Sequence, residues 1–209
     1  MNKREQNKQR VRQRILSTCG SLFRKYGFDE TTLPSILEAA DISRQTFFNY
    51  FPSKEAVLRE LGLMWLRQQA QIPREGAARA QSSGIIAGMR RAIQGQLQAI
   101  EGDMEFMRLV FTRSGLLSPN QLSVKNDTEQ RDHTRAVLLA VSSVFEKAQS
   151  TGEVGAQHDP TQLSEILIGT MLMTIRLWLL DYWDQEQSLE ERGLQAFDIL
   201  IQGVTQGSE

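Results

Sequence analysis

The sequence predicts an all-α protein of about nine helices. Three observations predict it: apolar residues recur at spacings of three and four, β-branched alternation is scarce, and there are only five prolines in 209 residues. Repetition at three and four is the signature of an amphipathic helix, whereas a half-buried strand alternates every second residue.

The first helix carries Val11, Ile15, Cys19, Leu22, Phe23 and Tyr26 on one face, with arginines and lysines opposite, and Gly27 stands where a helix C′ residue is expected. Thr32 reads as an N-cap, with Leu33 and Pro34 in the first turn of a short helix that runs to about Ala40. Asp41-Ile42-Ser43 is long enough only for a tight turn. Ser43 caps a second short helix, Arg44 to about Tyr50. Pro52 ends that stretch, and Ser53 caps a long helix opening at Lys54-Glu55 with Val57, Leu58, Leu61, Met64 and Trp65 on one side. This helix is expected to end near Ile72-Pro73. Residues 73–84 are polar and rich in Ala, Gly and Ser, a connection between two regions.

Beyond it, helical patterns span about 84–101 and 103–115. After a break at Ser118-Pro119-Asn120 comes a long helix at about 122–151. Gly152 to Pro160 forms the next turn, with Asp159 or Thr161 as caps, and two last helices cover about 161–184 and 188–206. The expected division is a small domain over residues 1–53 and a larger one over 54–209, with the helix from Lys54 as connector.

Composition narrows the class. Hydrophobic residues at 40% and charged residues at 23% suit a globular protein with a core. A single cysteine, Cys19, excludes an intrachain disulfide and favours a reducing, cytoplasmic setting. Met1 to Arg14 lacks the apolar run of a signal peptide. The most apolar stretch, Ile166–Leu180, is interrupted by Arg176 and falls short of the roughly 20 residues that span a bilayer. No membrane partner is expected.

The net charge of −1 hides an asymmetry. Residues 1–60 hold eleven Lys/Arg against seven Asp/Glu, and the remainder holds thirteen against eighteen. Six of the eleven cations (Lys3, Arg4, Lys8, Arg10, Arg12, Arg14) precede the first apolar helix face. One end of the chain therefore suits phosphates, unless that basic arm is only a solvated, frayed terminus.

Two short helices joined by a three-residue turn, packed on a longer helix, make a helix-turn-helix whose second short helix fits the major groove of double-stranded DNA. Here it presents Arg44, Gln45 and Thr46 first. Arg pairs with guanine O6/N7, Gln with adenine N6/N7, and Thr meets a thymine methyl or a phosphate. Phe47 and Phe51 share one helical face, suited to the core, which leaves Phe48, Asn49 and Tyr50 nearer DNA. The same aromatic run would also serve as a buried cluster in a small helical domain that binds nothing.

At these residues the chain resembles the TetR family of transcriptional regulators. Ile15-Leu16, Leu22-Phe23, Gly27-Phe28, Thr31-Thr32, Ile36, Ala39-Ala40, Ile42-Ser43, Thr46, Tyr50-Phe51 and Ser53-Lys54-Glu55 follow its N-terminal pattern in order and spacing. The likeness covers about residues 8–60; the rest agrees only in helix count, length and layout. It implies a repressor that binds a palindromic operator as a homodimer and is released by a small-molecule effector. It also implies that Thr32 contacts phosphate, that Ser43, Arg44, Gln45 and Thr46 lie at the groove with Arg44 and Gln45 reading bases, and that Tyr50 and Lys54 touch the backbone. Three positions depart from the pattern: Phe48 replaces a common tyrosine, Asp41 the usual turn glycine, and Leu37 a small alanine.

In the family the C-terminal region holds the effector pocket and the dimer interface. The stretch 161–184 is apolar nearly all round and needs cover on every side. A four-helix dimer interface, two helices from each chain, is expected at the level of the last two helices, which carry Leu163, Ile166, Leu167, Phe197, Leu200, Ile201 and Val204. The layout places Met104, Met107, Arg108, Phe111, Met171 and Trp178 at the pocket, although such residues are more often core.

Catalysis finds little support. Cys19 sits on an apolar helix face with no histidine placed to activate it, and no Gly-rich phosphate loop, G-x-S-x-G or CxxC is present. Glu129 and His133, four apart, have the spacing of metal ligands, but such a pair is far commoner as a solvated face. No enzyme, metal or cofactor is expected. The remaining alternative is a helical ligand-binding or interaction protein without specific DNA binding.

Overall fold

Nine helices and no strand occur among the described residues (2–69, 84–114, 128–182 and 186–205) of this computed structural model. They are α1 (Lys3–Tyr26), α2 (Leu33–Ala40), α3 (Arg44–Tyr50), α4 (Lys54–Gln69), α5 (Ile85–Gly102), α6 (Met104–Arg113), α7 (Thr128–Ser150), α8 (Pro160–Leu179) and α9 (Leu189–Thr205). The expected helix end near Ile72-Pro73, most of the 73–84 connection, the break at Ser118-Pro119-Asn120 and the side chains of Glu129 and His133 lie outside the described residues.

The chain forms two compact units: residues 1–64 with 105–123, and residues 65–104 with 124–209. The first therefore takes in the opening turns of α4 and nearly all of α6, besides the 1–53 stretch marked out in the sequence.

In the first unit the apolar face of α1 is sealed. Ile15 and Cys19 are wholly buried, Leu16 and Phe23 nearly so, and they share the core with Ile36, Phe47, Phe51, Val57 and Leu58. Burial pushes the Cys19 thiol up to about 12, which leaves it an inert apolar group at neutral pH. The caps read from the sequence form. Thr32 Oγ1 accepts from Ser35 N at 3.3 Å, Ser43 Oγ from Thr46 N at 3.1 Å, and Ser53 Oγ from Ala56 N at 3.3 Å. Gly27, at φ 82°, ends α1 in a conformation that a side chain would resist.

The N-terminal cations differ from expectation in form. They are not an arm ahead of the helix but its first turns, because Asn2 caps α1 and Lys3 already belongs to it. Asn2 Oδ1 accepts from Arg4 N at 3.4 Å, and Glu5 in the first turn suits the positive end of the helix dipole.

In the second unit α7 packs on α8, α8 on α9, α9 on α5 and α5 on α7, closing a four-helix arrangement. Its core holds Met89, Ile93, Leu97, Ile100, Val144, Phe145, Leu163, Leu167, Ile175, Leu179, Leu189 and Phe197. The helix expected over 161–184 stops at Leu179. Asp181 takes a left-handed φ of 51°, and the amides of Leu180, Asp181 and Tyr182 turn back onto Arg176, Trp178 and Leu177 carbonyls. A left-handed residue cannot continue the helix, and short polar Asp tolerates it better than most.

Polar staples fix the bundle's ends. Arg90 grips Asp198 through two bonds of 2.8 and 2.9 Å, Gln94 and Gln98 donate to Glu190, and Leu189 N donates to Glu101 Oε1. Glu153 accepts from the first amides of α5, Ile85 N at 2.9 Å and Ile86 N at 3.0 Å, and from Thr151 Oγ1 at 3.0 Å. Gly84, at φ 87°, makes room: a Cβ there would meet Glu153 Oε2 at 2.9 Å.

Desolvation works against the Glu153 charge, but those donors outweigh it and hold the carboxyl below its ordinary 4.5. A depressed carboxylate contributes stability that is complete above its ordinary pKa and disappears as pH falls through the native one. Glu153→Gln should therefore lower stability by about 1 kcal/mol near neutrality, with the gap from wild type closing below pH 4.5. Chemical denaturation at a series of pH values checks this, and a gap of constant size would refute the charged cap.

Candidate nucleic-acid interface

The turn between α2 and α3 is built as a helix stop. Asp41 N donates to Glu38 O and Ile42 N to Leu37 O, both at 3.1 Å, the paired pattern of a Schellman motif with Asp41 left-handed at φ 49°. This motif often pairs apolar residues at its two ends, and here those positions are Leu37 and Ile42. Arg14 Nη2 reaches the Asp41 carbonyl at 3.5 Å, from α1 to the turn.

α3 is sharply two-faced. Phe47 is fully buried, and Phe51 just beyond the helix nearly so, whereas Arg44, Gln45, Phe48 and Asn49 are exposed and Thr46 and Tyr50 half-buried. Of the hydroxyls expected at DNA, Ser43 Oγ and Thr46 Oγ1 lie 2.8 Å apart, each engaged with the other in the cap. Thr32 is exposed at the cap of α2, and its hydroxyl meets Ser35 Oγ at 3.3 Å.

Lys54 is placed where the sequence did not suggest. Its ammonium donates to Phe28 O at 2.7 Å, Thr31 O at 3.1 Å and Asp29 O at 3.4 Å, and lies 4.4 Å from the Phe28 ring centroid. An ammonium has three donors, and all three face the segment that leads from α1 to α2. Lys54 is thus a strap inside the unit, with no donor left over for a phosphate in this arrangement.

Two further contacts escape sequence reasoning. Arg113, at the end of α6, donates to Asp29 Oδ1 at 2.6 Å, and that bond foremost, helped by the Lys54 charge, holds the Asp29 carboxyl below its ordinary range. Arg24 stacks 3.7 Å from the Phe106 ring centroid. Both bind α6 to α1 and its following turn. Residues 84 positions apart leave no local pattern to read.

The other expected sites divide. Met107, Arg108 and Phe111 belong to the first unit; Met104, Met171 and Trp178 belong to the second. Arg108 pairs with Glu105 one turn away at 3.7 Å. Trp178 is buried, and among the described residues its indole Nε1 has no hydrogen-bond partner.

Among the residues expected at a dimer face, Leu163, Leu167, Phe197 and Val204 are at most 6% exposed, because the chain's own bundle already covers them. Leu200 and Ile201 are half-buried, and Ile166 is exposed. The open apolar stripe is instead Ile166, Met173 and Leu180 on and just after α8, with Ile199 on α9. Met173, Leu177 and Ile199 line a groove of about 550 Å³ with Gly169, Thr170 and Ala196.

Among the described residues, no three His, Cys, Asp or Glu side chains gather as a metal site. No described helix is long and apolar enough to cross a membrane.

Residues 15–61 match the family signature described as bacterial regulatory proteins, tetR family. Over 122 residues the chain is 30% identical to the HTH-type transcriptional regulator TcmR of Streptomyces glaucescens, covering 55% of this chain and 54% of that one. The likeness thus spans about half the length of that relative. Among solved structures, FadR from Thermus thermophilus, a TetR-family repressor in complex with lauroyl-CoA, is similar at TM-score 0.68 and 24% identity over 92% of this chain and 94% of that one. FadR from Bacillus subtilis, in complex with stearoyl-CoA, gives 0.69 at 17% over 92% and 98%. SmeT, the repressor of the Stenotrophomonas maltophilia multidrug efflux pump SmeDEF, gives 0.68 at 18% over 92% and 89%. At such identities the likeness is one of fold.

Proposed function

We propose that this chain, which belongs to the TetR family of bacterial regulatory proteins, is a DNA-binding transcriptional repressor that seats α3 in the major groove of its operator. The observation that carries the reading is the two-faced α3: its core side is fixed by Phe47, and its open side offers Arg44, Gln45 and Asn49, the side chains that discriminate guanine and adenine edges. Exposed Lys3, Arg4, Lys8, Arg10 and Arg14 on α1 add a cationic surface to the same unit, suited to phosphates. Thr32, Ser43, Thr46 and Tyr50 position the helix on the backbone, and Arg44 and Gln45 read bases. Working on DNA, the protein acts in the cytoplasm.

The operator is palindromic because the protein binds as a homodimer. A stripe of large apolar side chains, with Ile166, Met173 and Ile199 each more than half exposed, needs a cover, and a second copy of the same face provides one. Release is by a small molecule held in the second unit beside Met171 and Trp178. The supporting feature is the Trp178 indole N–H, which has no partner among the described residues, since burying a donor without an acceptor is unfavourable and a ligand oxygen would satisfy it. Such an effector favours a dimer whose reading heads no longer match the half-site spacing.

The test is titration of a labelled fragment of the chain's own promoter at two salt concentrations, against random duplex. Salt-sensitive, specific retention is expected. Arg44→Ala or Gln45→Ala should weaken it by roughly 1–3 kcal/mol and relax preference at particular base pairs. Equal, weak retention of every duplex would instead favour a helical interaction protein. A thermal-shift screen of small molecules, acyl-CoA thioesters included, tests the effector site, where a hit whose stabilisation persists in Trp178→Phe would clear the indole N–H of the role.

A further inference from the structure

Arg44 does not project freely from α3. Its guanidinium carbon lies 5.5 Å from the centroid of the Phe48 ring, four residues and one helical turn on. That is within the roughly 6 Å at which an arginine is attracted to an aromatic face. The Phe48 ring is itself braced, meeting the fully buried Phe47 ring edge-on at 5.5 Å and 89°. A fixed core ring therefore holds a half-exposed ring, and that ring offers a face to the one arginine of α3.

Stacking occupies the flat of a guanidinium and leaves its N–H edge free. Guanine O6 and N7 are read by that edge. The two interactions are compatible, and one prepares the other: an arginine already held in place loses less conformational freedom on docking than one that samples all its rotamers. Phe48 also lacks the hydroxyl of the tyrosine common here in the family, so its contribution is carried by the ring alone.

We propose that Phe48 is a positioning residue for base readout, holding the Arg44 guanidinium on its ring so that the reading edge is presented to a guanine in the major groove. The inference rests on the DNA-binding reading above and assigns Phe48 a part in sequence preference rather than in general affinity.

The test uses the full chain and its own promoter fragment, with each base pair substituted in turn. Arg44→Ala identifies the position whose preference depends on Arg44. Phe48→Leu should reduce preference at that position roughly two- to fivefold and leave other positions unchanged, while Phe48→Tyr, which keeps the ring, should retain it. In the Arg44→Ala background, Phe48→Leu should cause no further loss of preference. The free protein gives a second readout: Arg44 side-chain proton resonances should show an upfield ring-current shift that Phe48→Leu abolishes and Phe48→Tyr preserves. Uniform weakening across all base pairs, an additive double variant, or Arg44 resonances without a ring-current shift in the wild type would each overturn the proposal. Should Arg44→Ala change no preference in a wild type that does discriminate sequences, the proposal fails while the DNA-binding reading stands. A wild type that retains every duplex alike overturns both.

Discussion

Lys54→Met should lower the stability of the DNA-reading unit by about 2–4 kcal/mol and take operator binding down with it. The ammonium donates to the carbonyls of Phe28, Asp29 and Thr31 and lies over the Phe28 ring. Hydrogen bonds from a charged donor contribute about 1.5–3 kcal/mol each, and here water can replace part of that, because Lys54 is only half-buried. Methionine keeps most of the stem and removes every donor. With Lys54 gone, three carbonyls between α1 and α2 lose their anchor, and the Thr32 cap that starts the helix-turn-helix loses its support. The family resemblance leads to a different outcome: a lysine lying against the operator backbone would leave melting unchanged and reduce the salt slope of binding by about one unit. Thermal melts and salt titrations of one variant separate the two, and an unchanged melt with a reduced slope would show that Lys54 leaves its strap to meet phosphate.

The second large effect is expected at the open apolar stripe. On the proposed dimer reading, Met173→Asp combined with Ile199→Asp should convert the dimer to a monomer and weaken operator binding by roughly 10²–10⁴-fold, the gain usually lost when two linked half-site contacts become independent. Both side chains are more than half exposed in the single chain, so neither substitution opens a hole in its core. Sedimentation and the same DNA titration measure it. A wild type that sediments as a monomer, or a doubly charged variant that remains dimeric, would move the interface elsewhere.

That stripe also marks where the sequence stops being legible. A helix apolar on nearly every side announces that it needs two partners, but periodicity cannot say which face belongs to the chain and which to its neighbour. Of the residues on the helices assigned to the dimer interface, Leu163, Leu167, Phe197 and Val204 are covered by the chain's own bundle, whereas Met173 and Leu180 lie open. Local chemistry was far more readable. Thr32, Ser43, Ser53 and Asp159 cap the helices they precede, because a cap is a bond between residues two or three apart. The turn at Asp41 and the buried and open sides of α3 followed from the same short-range rules. The tertiary contacts of Lys54, Arg113 and Arg24 were not readable, since they reach 23 or more positions along the chain and any exposed cation would have looked the same. For the candidate site, the exposed side chains of α3 could thus be named from sequence, but not the strap at Lys54 or the approach of Arg44 to the Phe48 ring.

The contacts that join α6 to α1 also govern when the reading head can be finished during synthesis. Arg113 meets Asp29 across 84 positions, so the first three helices leave the ribosome long before the helix that braces them has been made. Contacts of such separation are slow to close, because the intervening chain must give up its freedom first. A nascent chain halted after α4 would carry the whole helix-turn-helix and still lack the guanidinium on Asp29 and the Phe106 ring under Arg24. Completion of the first unit thus waits on translation of more than half the message, well after its first three helices have been made.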